Sequence, residues 1–426
     1  MASIVFAGTY YPITCGIADY TQFLTSTSPP GRWRVLSFDL HGYGMPLAHT
    51  EAEVENVWYG IPGKKKYSST VMRNGLNYLI PEVSDAVLWF QHEFGIFRDD
   101  RRFVEMLRDL DIPKIVTFHS LHFEAGRKFS GLKRQEHKLL SRLLPCVDAI
   151  TVFSRGVLSA VNSAFPEYTG KVHVLRHGIH HYPQVIHMSR KQAREALNDF
   201  LVYESDLDPE VKDRLYRERT LQDPSIFLVG QTGFLCPSKG SERLWSFRDD
   251  LQQVVTNRHI VAMRIGSARL SDQIKYARKL RNLQNGIDKI LIETWLPREM
   301  LPIAQRAFDV NYYWPLDCTQ SGVLAHALGA GAIVAGRELE GVGEALQEAG
   351  QIYDKNPDYL LLKTASLLRN PELAARMEEE ALRYASRFSW PNQVRKHYHL
   401  AQEIISPASH SYTRRDALPL DKPTPV

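Results

Sequence analysis

The chain lacks an apolar run near the ~20 residues needed to cross a membrane, and it lacks a strong charge of either sign. Its 426 residues carry 52 lysines and arginines against 48 aspartates and glutamates, a formal net charge of +4. This balance argues against a nucleic-acid partner, which would need a dense basic face. One short basic run, Lys64-Lys65-Lys66, is typical of a solvated loop and leaves open at most a peripheral membrane contact.

Cysteine is scarce, and no metal-binding signature occurs. The four cysteines are far apart and form no C-x-x-C pair: Cys15, Cys146, Cys236 and Cys318. A reducing, cytoplasmic location fits this usage best. Sixteen histidines are present, but no H-E-x-x-H motif occurs. We therefore predict a cytoplasmic protein without a catalytic or structural metal.

Short apolar runs alternate with helical patterns in both halves of the chain, which predicts βαβ units and parallel sheets. Strands are predicted at Ser3–Ala7, Trp33–Phe38, Ala86–Phe90, Lys114–Phe118, Ala149–Phe153, Lys171–Leu175, Ile226–Val229, His259–Ile265, Lys289–Glu293, Asp309–Tyr312 and Ala332–Ala335. Helices are predicted at Asp100–Leu110, Leu132–Leu143, Gly240–Val254, Leu270–Gln284, Pro297–Arg306 and Gly322–Gly329.

A charged segment without strand patterns separates the two series. We predict Rossmann-like domains over residues 1–181 and 223–387, joined by a linker and helical insertion over 182–222. A terminal helix is expected over 388–405, and the Ser/Pro/Arg-rich residues 406–426 are typical of a disordered tail.

Ligands of such sheets bind beyond the carboxyl ends of the strands. We therefore expect residues that contact phosphate at the corners that follow the strands. Gly16 opens a helix, Lys239 and Gly240 precede another, and Ser321-Gly322 open a third that is rich in alanine and glycine. A helix N-terminus with free N–H groups, or with a lysine beside it, suits a phosphate. The same residues also fit a tight turn, a solvated lysine and an ordinary helix cap.

In their order along the chain, these corners resemble the GT-B glycosyltransferases of the large retaining family often called family four. The resemblance spans roughly Ile4–Ile405. It rests on Gly16, His119 in Thr117-Phe118-His119-Ser120, Ser154, His177-Gly178-Ile179, Gly233 with Pro237-Ser238-Lys239-Gly240, Gly266, Trp295-Leu296-Pro297, Gly329-Ala330-Gly331-Ala332-Ile333-Val334 and Phe388-Ser389-Trp390.

The resemblance implies an α/β GT-B fold, with two tandem Rossmann-like doubly wound parallel-sheet domains and a cleft between them. It implies a hexosyltransferase that moves a hexose from a nucleoside diphosphate sugar to a hydroxyl acceptor: a glycan, a lipid-linked glycan or a small molecule. Such enzymes retain the anomeric configuration and need neither a metal nor a cofactor beyond the sugar donor. A role in polysaccharide biosynthesis would follow.

The resemblance also assigns roles to residues. His119 would face the reacting sugar, and Lys239 would meet the diphosphate. The other donor-binding positions would be Gly16, Gly233, Gly266, Leu296, Asp317, Ser321, Gly322 and His326. At the end of the strand before Gly95, His92 or Glu93 would have either an acceptor-side role or a local, turn-stabilising one.

Two departures from the family pattern matter. Phe234 stands where the family usually has an arginine that pairs with the lysine on the diphosphate, so another cation, Arg337 or Arg264, would have to replace it. Cys318 and His326 stand in the places of two glutamates. These departures support an alternative: a catalytically silent GT-B protein that binds a nucleotide or a partner subunit.

Overall fold

The computed structural model describes residues 2–44, 54–80, 85–268, 271–284 and 288–406. The strands are β1 (Ser3–Gly8), β2 (Trp33–Phe38), β3 (Val57–Ile61), β4 (Ala86–His92), β5 (Lys114–Phe118), β6 (Ala149–Val152), β7 (Val172–Val174), β8 (Ile226–Thr232), β9 (His259–Ile265), β10 (Lys289–Ile292), β11 (Val310–Tyr313), β12 (Val334–Arg337) and β13 (Ile352–Asp354).

The helices alternate with these strands and run to the end of the described chain. They are α1 (Gly16–Thr27), α2 (Leu40–Tyr43), α3 (Ser69–Leu79), α4 (Asp100–Arg108), α5 (Arg134–Leu143), α6 (Arg155–Ala164), α7 (Pro183–Ile186), α8 (Arg190–Asp199), α9 (Pro209–Glu218), α10 (Glu242–Val254), α11 (Ser271–Leu283), α12 (Met300–Ala307), α13 (Gly322–Gly329), α14 (Glu340–Glu348), α15 (Pro357–Leu367), α16 (Pro371–Arg387) and α17 (Trp390–Ile405).

The strands form two sheets. Seven lie in the order β3-β2-β1-β4-β5-β6-β7 and six in the order β10-β9-β8-β11-β12-β13. The strand pairs β1–β2, β1–β4, β8–β9 and β8–β11 are parallel. In each sheet the order reverses beside its first strand, which is the doubly wound arrangement. The prediction of two Rossmann-like parallel sheets in tandem is therefore confirmed.

Sequence periodicity finds the central strands and misses two at the edges. β4 is buried along its whole length, and its apolar run marks it clearly. β3 and β13 are the missed strands: each lies at a sheet edge and has mostly half-buried side chains. An edge strand needs no continuous apolar run, because one side of it faces no other strand. No strand occurs over residues 182–222, where the insertion was predicted.

The chain divides into two compact units. Of the residues that the structure describes, the smaller unit holds those within 2–117, 142–150 and 394–406, and the larger unit holds those within 118–141 and 151–393. Within the smaller unit, the last helix lies against the first sheet: Gln402 Oε1 accepts from Ala2 N at 3.0 Å, and the His397 ring stacks on Trp89 at 4.7 Å. The predicted disordered tail lies, apart from Ser406, outside the described residues.

The larger unit is held by apolar clusters on both faces of the second sheet. One cluster includes Leu244, Leu251 and Ile260, and another includes Leu197, Met263 and Phe308; each of these side chains is at most 1% exposed. The second cluster joins the insertion helices to the sheet. Within the described ranges, no helix is both long enough and apolar enough to span a bilayer.

The packing in this unit predicts that Gly230 cannot be replaced by a larger residue without loss of stability. A Cβ added at Gly230 would lie 2.0 Å from the Phe308 ring, whereas one added at Gly170 would meet nothing within 4 Å. Overpacking of this kind costs about 1–3 kcal/mol. We expect Gly230→Ala to lower the free energy of unfolding by about that amount in urea titrations, with Gly170→Ala close to wild type. Equal stabilities for the two variants would contradict the packing described here.

Candidate functional site

Two glycines let the ends of β8 and β9 approach each other. Gly233 follows β8 with φ +110°, a conformation that L side chains rarely adopt. A Cβ added at Gly266, after β9, would lie 1.9 Å from the Gly233 carbonyl oxygen. A Cβ added at Gly233 would lie 3.3 Å from Val323 in the first turn of α13. The corner after β8 therefore lies directly beside the N-terminus of α13.

Lys239 lies in the same corner. It ends the short 3-10 turn Pro237–Lys239, which Gly240 terminates with φ +59°. Its carbonyl oxygen accepts a bond from Gln231 Nε2 at 3.1 Å, and its Nζ lies 5.8 Å from the centroid of the Tyr313 ring. The backbone of the lysine is thus fixed, and the residue as a whole is half-exposed.

The corner after β11 joins this site. Leu316 N donates to Ser238 O at 2.9 Å, which ties the two corners together. Ser321 caps α13 by accepting from Leu324 N at 3.2 Å, and Gly322 begins the helix with open space around it. The first N–H groups of a helix have no intrahelical partner. The corner with Gly233 and Lys239 and the corner with Ser321 and Gly322 are therefore neighbours at the positive end of α13.

His119 lies next to this corner, also within the larger unit. Its carbonyl oxygen accepts from Thr319 Oγ1 at 3.0 Å, and its ring lies 5.2 Å from the Phe153 ring. The residue is only 3% exposed. The backbone contact holds the end of β5 against the loop that leads into α13.

Asp317 is engaged by a histidine and a lysine. His122 Nε2 lies 2.9 Å from Asp317 Oδ1, and Lys133 Nζ lies 3.1 Å from Oδ2. Buried Glu136 contacts the other ring nitrogen of His122 at 2.6 Å. Hydrogen bonds from His122 and Lys133 hold the pKa of Asp317 below its usual value. Burial lowers the pKa of His122, but its bonds to Glu136 and Asp317 raise it overall.

His326 lies in the second turn of α13 and is part of a ring cluster. Its ring stacks on His180 with centroids 4.8 Å apart, and its Nδ1 contacts the Tyr182 hydroxyl. Trp390 Nε1 donates to His180 Nε2 at 3.1 Å. Desolvation lowers the pKa of His180 to about 2 and that of His326 to about 3. These rings are neutral at physiological pH.

The loop after β10 is divided between core and surface. Leu296 is 9% exposed and packs in the apolar cluster, whereas Trp295 is 47% exposed. The Trp295 ring lies 5.6 Å from Phe234, which is 38% exposed. A cavity of about 290 Å³ opens beside this pair and is lined by Ser267, Ala268, Thr294, Trp295, Asp206 and Arg278, among others.

Three predicted site residues lie in the smaller unit. Gly16 begins α1 and is exposed, with open space where a Cβ would be. His92 is 1% exposed among Phe94, Phe97 and Phe103, and desolvation lowers its pKa to about 3. Glu93 accepts from Phe94 N at 3.0 Å, a contact that stabilises the local turn.

Sequence reasoning missed one contributor to the site, Tyr313, and named a second, Arg264, without its position. Tyr313, at the end of β11, is buried between Lys239 and Cys318, whose Sγ lies 3.5 Å from the tyrosine hydroxyl. Arg264 is fully buried beneath the corner after β8 and donates to the Phe234 carbonyl oxygen at 2.8 Å. Arg264 is one of the two cations that the sequence offers in place of the arginine absent at Phe234, but its burial beneath the corner is not predicted.

Comparison with known proteins identifies the architecture. No protein-family model and no curated protein sequence matches the chain. Several solved structures match along nearly its whole length, at 11–13% identity. The N-terminal domain of trehalose-6-phosphate phosphatase from Candida albicans matches with a TM-score of 0.63, 11% identity and coverage of 95% of this chain and 97% of that one.

Two further structures match in the same way. The UDP-forming α,α-trehalose-phosphate synthase from Burkholderia xenovorans, in complex with glucose-6-phosphate, gives a TM-score of 0.62 at 13% identity, covering 94% and 99% of the two chains. HepE from Anabaena, in complex with UDP, gives 0.60 at 12% identity, covering 95% and 100%. The fold is GT-B. The fold class predicted from the sequence is confirmed.

The histidine cluster predicts acid-sensitive stability. A histidine whose folded pKa is depressed takes up its proton only on unfolding, so stability is complete above the unfolded pKa near 6.5 and falls as the pH drops below it. We expect each of His180 and His326 to remove about 1 kcal/mol of unfolding free energy between pH 6.5 and 5.5.

Urea titrations at pH 6.5 and 5.5 measure this effect. His326→Phe should lose less stability across the interval than wild type, by about 1 kcal/mol. The control is His187→Gln, which changes an exposed histidine and should leave the pH dependence as it is in wild type. A wild-type protein with the same stability at both pH values would contradict the assignment of neutral rings.

Proposed function

We propose that the protein is a glycosyltransferase that moves a hexose from a nucleoside diphosphate sugar to a hydroxyl acceptor. The main support is that the corner after β8, which carries Lys239, lies beside the N-terminus of α13: a Cβ added at Gly233 would be 3.3 Å from Val323, and Leu316 N donates to Ser238 O at 2.9 Å. A helix N-terminus and a lysine both favour a phosphate group. The matching structures support the same donor class: one is a UDP-forming synthase and another contains UDP.

The donor would lie along the carboxyl edge of the second sheet. Its diphosphate would receive hydrogen bonds from Lys239 Nζ and from the first N–H groups of α13. Its base would enter the cavity beside Trp295, whose volume of about 290 Å³ exceeds that of a nucleobase. Pockets of roughly 300–1,000 Å³ are typical of small-molecule sites, so the sugar would extend beyond this cavity, towards α13.

The chemistry we propose is leaving-group stabilisation. The bond between the anomeric carbon and the diphosphate oxygen breaks, and the acceptor oxygen bonds to the same carbon while its proton passes to the departing phosphate. Lys239 and the helix end would stabilise the charge that develops on the diphosphate, a contribution commonly worth about 3–4 kcal/mol per donor group. We propose that no metal takes part, that configuration is retained, and that His119 contacts the sugar.

Asp317 and His326 would have different parts in such a site. Asp317 is 62% exposed at its side chain and is held at the corner by His122 and Lys133, so its carboxylate can accept bonds from sugar hydroxyls. His326 is already engaged by Tyr182 and stacked on His180. This engagement favours a structural part for His326 and supports the alternative of a nucleotide-binding protein without transferase activity.

Nucleotide binding can be tested on Lys239→Ala. Loss of a charge-assisted hydrogen bond costs about 1.5–3 kcal/mol, so we expect the Kd for the preferred nucleoside diphosphate to rise roughly 10- to 100-fold. Thermal-shift panels of UDP, GDP, ADP and dTDP, each with its sugar derivatives, would identify the base. Lys191→Ala, which changes a lysine with 85% side-chain exposure, is the matched control.

Three outcomes separate the hypotheses. A shift with one base series that is lost in Lys239→Ala and kept in Lys191→Ala supports the donor site. Product analysis with that nucleotide sugar and a panel of hydroxyl acceptors then distinguishes a transferase, which forms a glycosylated product, from a silent binder, which forms none. Absence of any shift on folded wild-type protein would reject both nucleotide-binding hypotheses.

A further inference from the structure

Arg264 is a buried charge that no acidic side chain neutralises in the part of the chain that the structure describes. It is 0% exposed, and its neighbours are neutral: Nε donates to Ser241 Oγ at 2.9 Å, Nη2 to Phe234 O at 2.8 Å, and Nη1 to Gln231 O at 3.3 Å and to Ile265 O. Among the described residues, no carboxylate forms an ion pair with it. Desolvation lowers its pKa to about 10, which still leaves it cationic.

This burial of the Arg264 charge is energetically unfavourable unless a negative group compensates for it. Burying a charged group without a partner is strongly unfavourable, and buried charges in proteins are normally paired. The chain's other deeply buried arginines follow that rule: Arg194 pairs with Asp309 at 2.6 Å, and Arg176 pairs with Glu344 at 2.8 Å. The carbonyl dipoles around Arg264 offset only part of its charge, so an anion is expected nearby when the protein functions.

The position of Arg264 indicates where that anion binds. Its guanidinium lies one backbone layer below the corner after β8, because a Cβ added at Gly266 would be 2.8 Å from Nη1 and 1.9 Å from Gly233 O. Phe234, whose carbonyl it holds, is exposed at the surface of the same corner. The guanidinium also draws three carbonyl oxygens inwards, so their negative ends point away from the surface.

We infer that Arg264 is a positioning residue for the diphosphate of the donor, an inference that rests on the proposed function. It fixes the backbone of the corner from below and supplies positive potential through the loop. It thereby replaces an arginine at the surface position that Phe234 occupies. Because the charge acts through the backbone layer, its effect grows with the charge of the ligand, whereas a purely structural part would affect all ligands alike.

The test compares ligands of different charge. UDP and UMP, with GDP/GMP, ADP/AMP and dTDP/dTMP in parallel, are titrated calorimetrically into wild type, Arg264→Met, Arg264→Lys and the control Arg194→Met. Arg194 is a buried arginine that holds backbone carbonyls of Ala307 and Ile226, near the amino ends of β11 and β8. Folding of each variant is verified by circular dichroism, and the titrations are made well below each melting temperature.

For the base that binds, we expect Arg264→Met to raise the diphosphate Kd about tenfold or more and the monophosphate Kd clearly less. Arg264→Lys keeps the charge and should keep most of the diphosphate preference, although it loses hydrogen bonds. Arg194→Met should lower the stability of the fold and leave the preference for diphosphate over monophosphate unchanged. If Arg264→Met does not fold, the same comparison is made with Arg264→Gln, which is also neutral but keeps hydrogen-bond donors.

Three results would overturn the inference. In one, Arg264→Met raises the Kd for the diphosphate and the Kd for the monophosphate by the same factor. In another, Arg194→Met lowers the preference for diphosphate over monophosphate as much as Arg264→Met does. Either result would leave Arg264 with a structural role only, without contradicting the proposed donor site. Failure of wild type to bind any of the eight nucleotides would overturn the proposed function and this inference together.

Discussion

The buried guanidinium of Arg264 is the interaction on which the candidate site depends. It links the ends of β8 and β9 by binding the carbonyl oxygens of Gln231, Ile265 and Phe234. Glycines at 233 and 266 allow this approach, since a side chain on Gly266 would collide with the Gly233 carbonyl. The corner that carries Lys239 is thereby fixed before any ligand arrives, which lowers the entropic cost of binding.

A second set of contacts organises the rest of the larger unit. Helix α14 carries Glu340 and Glu344 one turn apart, and both carboxylates bind backbone N–H groups. Glu340 accepts from Phe123 N at 2.8 Å, and Glu344 accepts from Gly156 N at 2.6 Å and from Arg176 Nη1 at 2.8 Å. Charged acceptors make stronger bonds to N–H groups than neutral ones do. The loop with His119 and the start of α6 are both held in this way.

The sequence predicts the sheets better than the site, for physical reasons. Central strands such as β4 are buried on both faces and show as continuous apolar runs, whereas the edge strands β3 and β13 do not. The bounds of α13 follow from Ser321 as its cap, and the structure begins the helix at Gly322 as predicted. The contact between His122 and Asp317, 195 residues apart, depends on tertiary packing that no local pattern encodes. The neutral groups that surround the Arg264 guanidinium are also brought together by tertiary packing, which no local pattern encodes.

We propose that the carboxyl edge of the second sheet binds the diphosphate of a nucleotide sugar. A crystal structure of the protein with a nucleoside diphosphate would test this proposal. We expect diphosphate oxygens within hydrogen-bond distance of Lys239 Nζ and of the backbone N–H groups at Ser321 and Gly322, with the base beside Trp295. A nucleotide bound elsewhere, with Lys239 and the N-terminus of α13 facing only solvent, would contradict it.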